Sequence, residues 1–73
     1  MDKIVIGMAG AGRATELHMN ALSRVSKIPL HFKTIVARRA EQLLPAKEKY
    51  GFEIASYDFE DLLNDSEIDV IDI

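Results

Sequence analysis

The residues with the clearest capacity for chemistry lie near the start of the chain. Lys3-Ile4-Val5-Ile6-Gly7-Met8-Ala9 is an almost wholly apolar run, and Gly10-Ala11-Gly12-Arg13-Ala14-Thr15 follows it directly. An apolar strand that passes through Gly-x-Gly into a helix can bring backbone N–H groups up to a pyrophosphate. Gly10 permits the tight turn, and Gly12 lets the main chain approach the anion. The N–H groups of about Gly12, Arg13 and Ala14 would point at it from the helix start. Thr15 stands where the usual G-x-G-x-x-G spacing has its third glycine. That position governs helix–strand packing more than phosphate contact. The same residues could make a plain β–α turn; the strand before them and the helix after them argue for a nucleotide.

The second landmark belongs at the end of the second strand. Dinucleotide sites commonly carry an acid there, which grips the adenosine ribose 2′-hydroxyl. This chain reads Val36-Ala37-Arg38-Arg39, with Ala37 in the acid's position, or Arg38 if the register is shifted by one. No carboxylate repels a 2′-phosphate, and two guanidinium groups stand beside its place. Arginine's planar fork donates paired hydrogen bonds to phosphate. NADP(H) is therefore favoured over NAD(H), with Arg38, joined by Arg39, on the 2′-phosphate and able to stack on adenine. A flavin, S-adenosylmethionine or a sugar nucleotide stays open as another ligand of such a turn, the arginines arguing least for S-adenosylmethionine. His18, a turn past the glycines, reads as a packing or hydrogen-bonding residue, and His31 as an exposed strand start. Glu60, Asp61, Asp65, Glu67, Asp69 and Asp72 read as charged helix and strand ends. Asp69 and Asp72 do not follow the two-residue repeat of one strand face.

These groups need elements to hold them. Residues 3–8 read as a strand buried on both faces, with Gly7 marking a close approach by a helix. A helix over residues 13–26 places Ala14, Leu17, His18, Ala21, Leu22 and Val25 on one face. A second strand covers residues 31–37 after Pro29. A second helix covers residues 40–49, where Pro45 predicts a kink or a late regular start, and Gly51 ends it. A third strand spans residues 53–56. Asp58 caps a short helix over residues 59–64, with Asp61 at the capping-box position. Residues 68–73 form a fourth strand. The order β-α-β-α-β-α-β implies an α/β, Rossmann-type parallel sheet, and its end in the fourth strand points to a piece of a longer protein.

Composition narrows the function classes. Seventy-three residues make one small domain, and without cysteine there is neither a disulfide frame nor a thiolate metal site. The histidines show no zinc spacing, so no metal site is expected. A net charge of −3 argues against a nucleic-acid partner. No apolar run is long enough to span a bilayer, and the first strand lacks the flanks of a signal peptide. A cytoplasmic protein is the simplest expectation.

The chain resembles the N-terminal domain of the Gfo/Idh/MocA oxidoreductases, the family of glucose–fructose oxidoreductase and inositol 2-dehydrogenase. Ile6-Gly7-Met8-Ala9-Gly10-Ala11-Gly12-Arg13 is similar to the family's G-x-x-G-x-G-R start. His18, Ala21-Leu22, Val36-Ala37-Arg38 and Glu48-Lys49-Tyr50-Gly51 fall where the family has comparable residues. The block from Tyr57 to Ile71 matches its tyrosine, aspartate, leucine-pair and Ile-Asp-x-Val/Ile pattern and makes the resemblance specific. The resemblance implies an NAD(P)-dependent dehydrogenase or reductase that exchanges hydride with a sugar, a polyol or a related hydroxy compound. It also implies a Thr-Pro segment, a Glu-Lys-Pro motif and a second α/β domain, which often builds a homo-oligomer. None of these is in the chain, so no catalytic residue is assigned and the 73-residue piece alone is expected to be inactive. A non-enzymatic nucleotide-sensing or scaffold module is the alternative. Thr15, Ala37 and Pro45 depart from the family pattern.

Overall fold

The computed structural model describes residues 3–25 and 27–73. Seven elements alternate as expected. They are β1 (Ile4–Ala9), α1 (Arg13–Val25), β2 (Leu30–Val36), α2 (Ala40–Tyr50), β3 (Ile54–Ser56), α3 (Glu60–Leu63) and β4 (Val70–Asp72). The four strands form one sheet in the order β3-β2-β1-β4, and every pairing is parallel. This is the α/β, Rossmann-type sheet read from the sequence. Boundaries differ from those readings by a residue or two, and Ser26 lies outside the described residues.

Period-two alternation sends the two sides of β1 to different helices. Met8 joins Met19 of α1, Leu43 and Ala46 of α2, Ile35, Ala37 and Phe52 in one buried cluster. Phe32 and Phe52 add a tilted ring pair at 5.3 Å. Gly7 faces the other way. A Cβ placed there would lie 2.8 Å from Leu62 Cδ2 and 3.1 Å from Ile68 Cδ1. The close approach expected at Gly7 is thus made by α3 and the segment after it.

The face of α1 departs from the expected one. Thr15 and Met19 are buried, while Leu17 is 63% exposed and Ala14, His18 and Ala21 are exposed too. The helix is rotated because Thr15 tucks beneath Gly10, which a count of apolar residues alone does not register. Helix α2 runs without a break through Pro45. Proline removes the bond to the carbonyl of Glu41, but both residues are exposed, so water can satisfy that carbonyl. Gly51 closes the helix at φ 76°, with its N–H and that of Phe52 both donating to the Lys47 carbonyl.

Polar side chains fasten the short β4. The Asp69 carboxylate accepts from the Val5 N–H at 2.9 Å, and the Asp69 N–H donates to the Val5 carbonyl at 2.8 Å. His18 Nδ1 meets Asp72 Oδ1 at 2.9 Å. The pairing of β1 with β2 shifts register between Ile6 and Gly7, leaving Lys33 as the extra residue. Lys33 Nζ reaches Asp65 at 2.6 Å and Glu67 at 2.5 Å. Most of these acids therefore have specific structural partners, and are more than decoration of helix and strand ends. His31 is likewise only half-exposed and meets Glu53 at 2.7 Å.

Two outcomes test this packing. Gly7→Ala should cost about 1–3 kcal/mol in urea unfolding by overpacking. Combined with Leu62→Ala it should lose less than the sum of the two single losses, whereas strict additivity would place Gly7 out of contact with α3. The second outcome concerns pH. The Lys33 hydrogen bond, followed by the Glu67 N–H, holds the Asp65 carboxyl below its ordinary pKa. That stabilisation is complete above the ordinary aspartate range and is lost as pH falls through the lowered value. Hydrogen bonds to Asp65 and then Glu67 raise Lys33, whose contribution is complete below the ordinary lysine range and lost as pH rises through the raised value. Both are present at neutral pH. Lys33→Met should lower the unfolding midpoint at pH 7 and converge with the unsubstituted protein towards about pH 2; a constant difference would contradict the pairing.

Candidate functional site

The C-terminal ends of all four strands open on one cleft of about 550 Å³. Residues Ala9, Gly10 and Ala11 line it from β1, and Val36, Ala37, Arg38 and Arg39 from β2. Gln42, Tyr57, Phe59 and Ile73 complete the lining. In an open parallel sheet, ligands bind outside the carboxyl ends of the strands where the order reverses. Here β1 leads out to β2 on one side and pairs with β4 on the other.

The glycine turn is built as its spacing predicts. Gly10 has φ +116°, a conformation that side chains disfavour. Its N–H donates to the Val36 carbonyl at 2.7 Å, which ties the end of β1 to the end of β2. A Cβ on Gly10 would meet Thr15 Oγ1 at 3.3 Å. Thr15 is therefore a packing residue under the turn, as expected of the third-glycine position. A Cβ on Gly12 would meet nothing within 4 Å, so the space in front of it is free for a ligand. The Gly12 carbonyl accepts the first helical bond, from Glu16 at 3.3 Å. The N–H groups of the first turn of α1 have no carbonyl one turn earlier to bond, and the helix dipole makes that end attractive to anions.

At the other end of the cleft, the Ala37 N–H donates to the Ser56 carbonyl at 3.2 Å and the residue is buried. Arg38 and Arg39 are exposed, and among the described residues no ion pair engages either. Arg39 occupies the N-cap of α2 and supplies no side-chain cap, because a guanidinium cannot accept a hydrogen bond.

The structure brings Gly10, Ala11, Arg38 and Arg39 together in this cleft. Gly12 and Arg13 line a neighbouring groove between α1 and α2, which shares Ala11 with the cleft. Ala14 sits exposed on the first turn of α1, in neither. His18 lies apart, beside Ala21, Leu22 and Asp72. Gln42, Tyr57, Phe59 and Ile73 line the cleft but are not among the site residues expected from the sequence. Their signal is positional: Tyr57 follows β3, Ile73 follows β4, and Gln42 lies in the first turn of α2. Among the described residues no three His, Asp or Glu side chains gather as metal ligands, and no helix is long and apolar enough to cross a membrane.

Fold and cleft together define a nucleotide-binding type of α/β domain. The chain belongs to the Gfo/Idh/MocA oxidoreductase family: the family's NAD-binding Rossmann-fold domain matches residues 4–73. It is 34% identical over 69 residues to the uncharacterized oxidoreductase YrbE of Bacillus subtilis (strain 168), covering 94% of this chain and 20% of that protein. Among solved structures it is similar to an NAD binding oxidoreductase from Klebsiella pneumoniae (TM-score 0.80, 23% identity, 97% of this chain and 20% of that one). Apo scyllo-inositol dehydrogenase from Lactobacillus casei gives 0.77 at 24% identity, over 96% of this chain and 20% of that one. A levoglucosan dehydrogenase in complex with NADH and levoglucosan gives 0.82 at 23% identity, over 97% and 21%. The chain thus spans about a fifth of the length of these relatives.

The two glycines should separate in their effect on stability. Gly10→Ala should destabilise by about 1–3 kcal/mol, from positive φ and crowding against Thr15. Gly12→Ala should leave the unfolding midpoint nearly unchanged. Equal losses at both positions would contradict the geometry of the turn.

Proposed function

We propose that this chain is the cofactor-binding part of a dehydrogenase or reductase that binds NADP(H) in preference to NAD(H), and that the full-length protein acts on a carbohydrate-like or polyol substrate. The family supports the redox class, and the similar solved dehydrogenases support the kind of substrate. A structure with NADH among them supports a nicotinamide dinucleotide. The choice of NADP(H) rests on this chain's own residues, and one observation carries it: Ala37, Arg38 and Arg39 present two unpaired guanidinium groups and no carboxylate at the end of β2.

The residues present fit the group. Gly10 bends the chain at a φ that side chains disfavour, and the space before Gly12 is open, so an anion can approach the main chain of the turn. Ala11, Gly12, Arg13 and Ala14 would hold the pyrophosphate through backbone N–H groups and the α1 dipole, while Gly10, whose own N–H is taken by the Val36 carbonyl, would shape the turn. Arg38, with Arg39, would hold the 2′-phosphate beside the uncapped start of α2. The cofactor, when bound, supplies hydride exchange with a hydroxyl carbon. This chain's residues bind and orient it; the groups that move the proton and seat the substrate would lie in the remaining part of a protein of the relatives' length.

Fluorescence titration of the full-length protein tests the reading. Arg38→Asp should weaken NADPH by about 10- to 100-fold, the loss of a charge-assisted pair, with little effect on NADH. Equal weakening of both nucleotides would remove the 2′-phosphate assignment.

A further inference from the structure

Two aromatic rings stand exposed at the β3 side of the cleft. Tyr57 is 61% exposed and Phe59 38%, and both line the cleft wall. Among the described residues the ring contact runs between Phe32 and Phe52, so neither Tyr57 nor Phe59 is committed to another ring. Two aromatic faces left in water contribute little to the core, and they sit within a pocket whose neighbouring wall carries Arg38 and Arg39.

The loop that carries them is fastened. The Asp58 N–H donates to Ser56 Oγ at 3.0 Å, and the Glu60 N–H donates to Asp58 Oδ1 at 2.9 Å. The Ser56 hydroxyl donates to the Asp61 carboxylate. Tyr57 is thus the apex of a turn closed by three side-chain hydrogen bonds. A ring held in this way loses less conformational freedom when a ligand covers it.

The cleft therefore sorts its chemistry by strand. The start of the glycine turn lies at the end of β1, cations at the end of β2 and flat apolar surface at the end of β3. We propose that Tyr57, flanked by Phe59, is the platform on which the adenine ring stacks, and that the Ser56–Asp58–Asp61 clasp holds that platform in place. This rests on the dinucleotide reading above, and adds to it a second side chain for the base beside Arg38. Stacking on an aromatic face does not depend on the 2′-phosphate, so Tyr57 serves NADPH and NADH alike.

The test titrates the full-length protein with NADPH, NADH and reduced nicotinamide mononucleotide, which lacks adenine. Tyr57→Ala should weaken both dinucleotides by a common factor of about 5- to 150-fold and leave the mononucleotide unchanged. Tyr57→Phe keeps the ring face and should bind within about twofold of the unsubstituted protein. An unchanged melting temperature, expected for so exposed a side chain, shows that the fold survives. Unaltered dinucleotide affinity in Tyr57→Ala overturns the platform while the dinucleotide reading stands. Equal loss of the mononucleotide also overturns it, because the effect would not be specific to adenine. An unsubstituted protein that binds neither NADPH nor NADH overturns both.

Discussion

The hydrogen bond from the Gly10 N–H to the Val36 carbonyl, 2.7 Å long, sets the geometry on which the cleft depends. It holds the end of β1 level with the end of β2 at the point where the chain leaves the sheet. Because Gly10 takes φ +116°, the chain turns into α1 within three residues of the strand. Gly10 and Ala11 therefore face one opening with the Ala37-Arg38-Arg39 segment, and Gly12 lines the groove that adjoins it at Ala11. The sheet order places β4 on the opposite side of β1, so the opening lies at the reversal of strand order. A side chain at position 10 would press on Thr15 as well as strain the backbone, so glycine there answers two demands at once.

The same strand must also be covered on both faces, and its residues divide that work. Met8 packs with Met19 and Ile35, while Gly7 yields its side-chain volume to Leu62 and Ile68. The second arrangement brings a helix of only four residues close enough to seal the sheet. Strand β4 is three residues long and has few ladder bonds of its own. Asp69 supplies a further bond by accepting from the Val5 N–H, and Lys33 draws the segment before β4 against the β2 bulge through Asp65 and Glu67. The exposed Glu67 arm adds little energy and the better-covered Asp65 arm more, and both favour this register.

Much of this was legible in the sequence, and the exceptions share a cause. The element order, the turn and the close approach at Gly7 follow from periodicity and from glycine's missing side chain, which are local properties. The rotation of α1 was not legible, because Thr15 counts as polar in a pattern and yet is buried beneath Gly10. The capping of α3 was legible in part: Asp58 Oδ1 does accept from the Glu60 N–H, as a capping aspartate should. Asp61 was expected to reach back to the Asp58 N–H in a capping box, but its side chain is one methylene shorter than glutamate. The Ser56 hydroxyl stands between them, taking the Asp58 N–H and donating to Asp61. The partners of Lys33, His18 and His31 lie 22 to 54 positions away in the chain, so no local pattern announces them. Tyr57 and Phe59 join the cleft only because β3 pairs beside β2.

Family membership and cofactor choice rest on different residues. The glycine turn and the parallel sheet suit any ligand with a pyrophosphate, so they carry no information about the 2′ position. That information is confined to the few side chains after β2. Arg39 stands at the N-cap of α2 and Arg38 just before it, at the positive end of the helix dipole. Two cations there oppose the dipole, and the single acidic residue in that first turn, Glu41, offsets only part of it. Without a ligand the arrangement is mildly unfavourable. An anion placed between the guanidinium groups and the helix start would relieve both the mutual repulsion and the uncapped N–H groups. In the proposed reading the 2′-phosphate is that anion, and the local electrostatic cost becomes the source of cofactor discrimination.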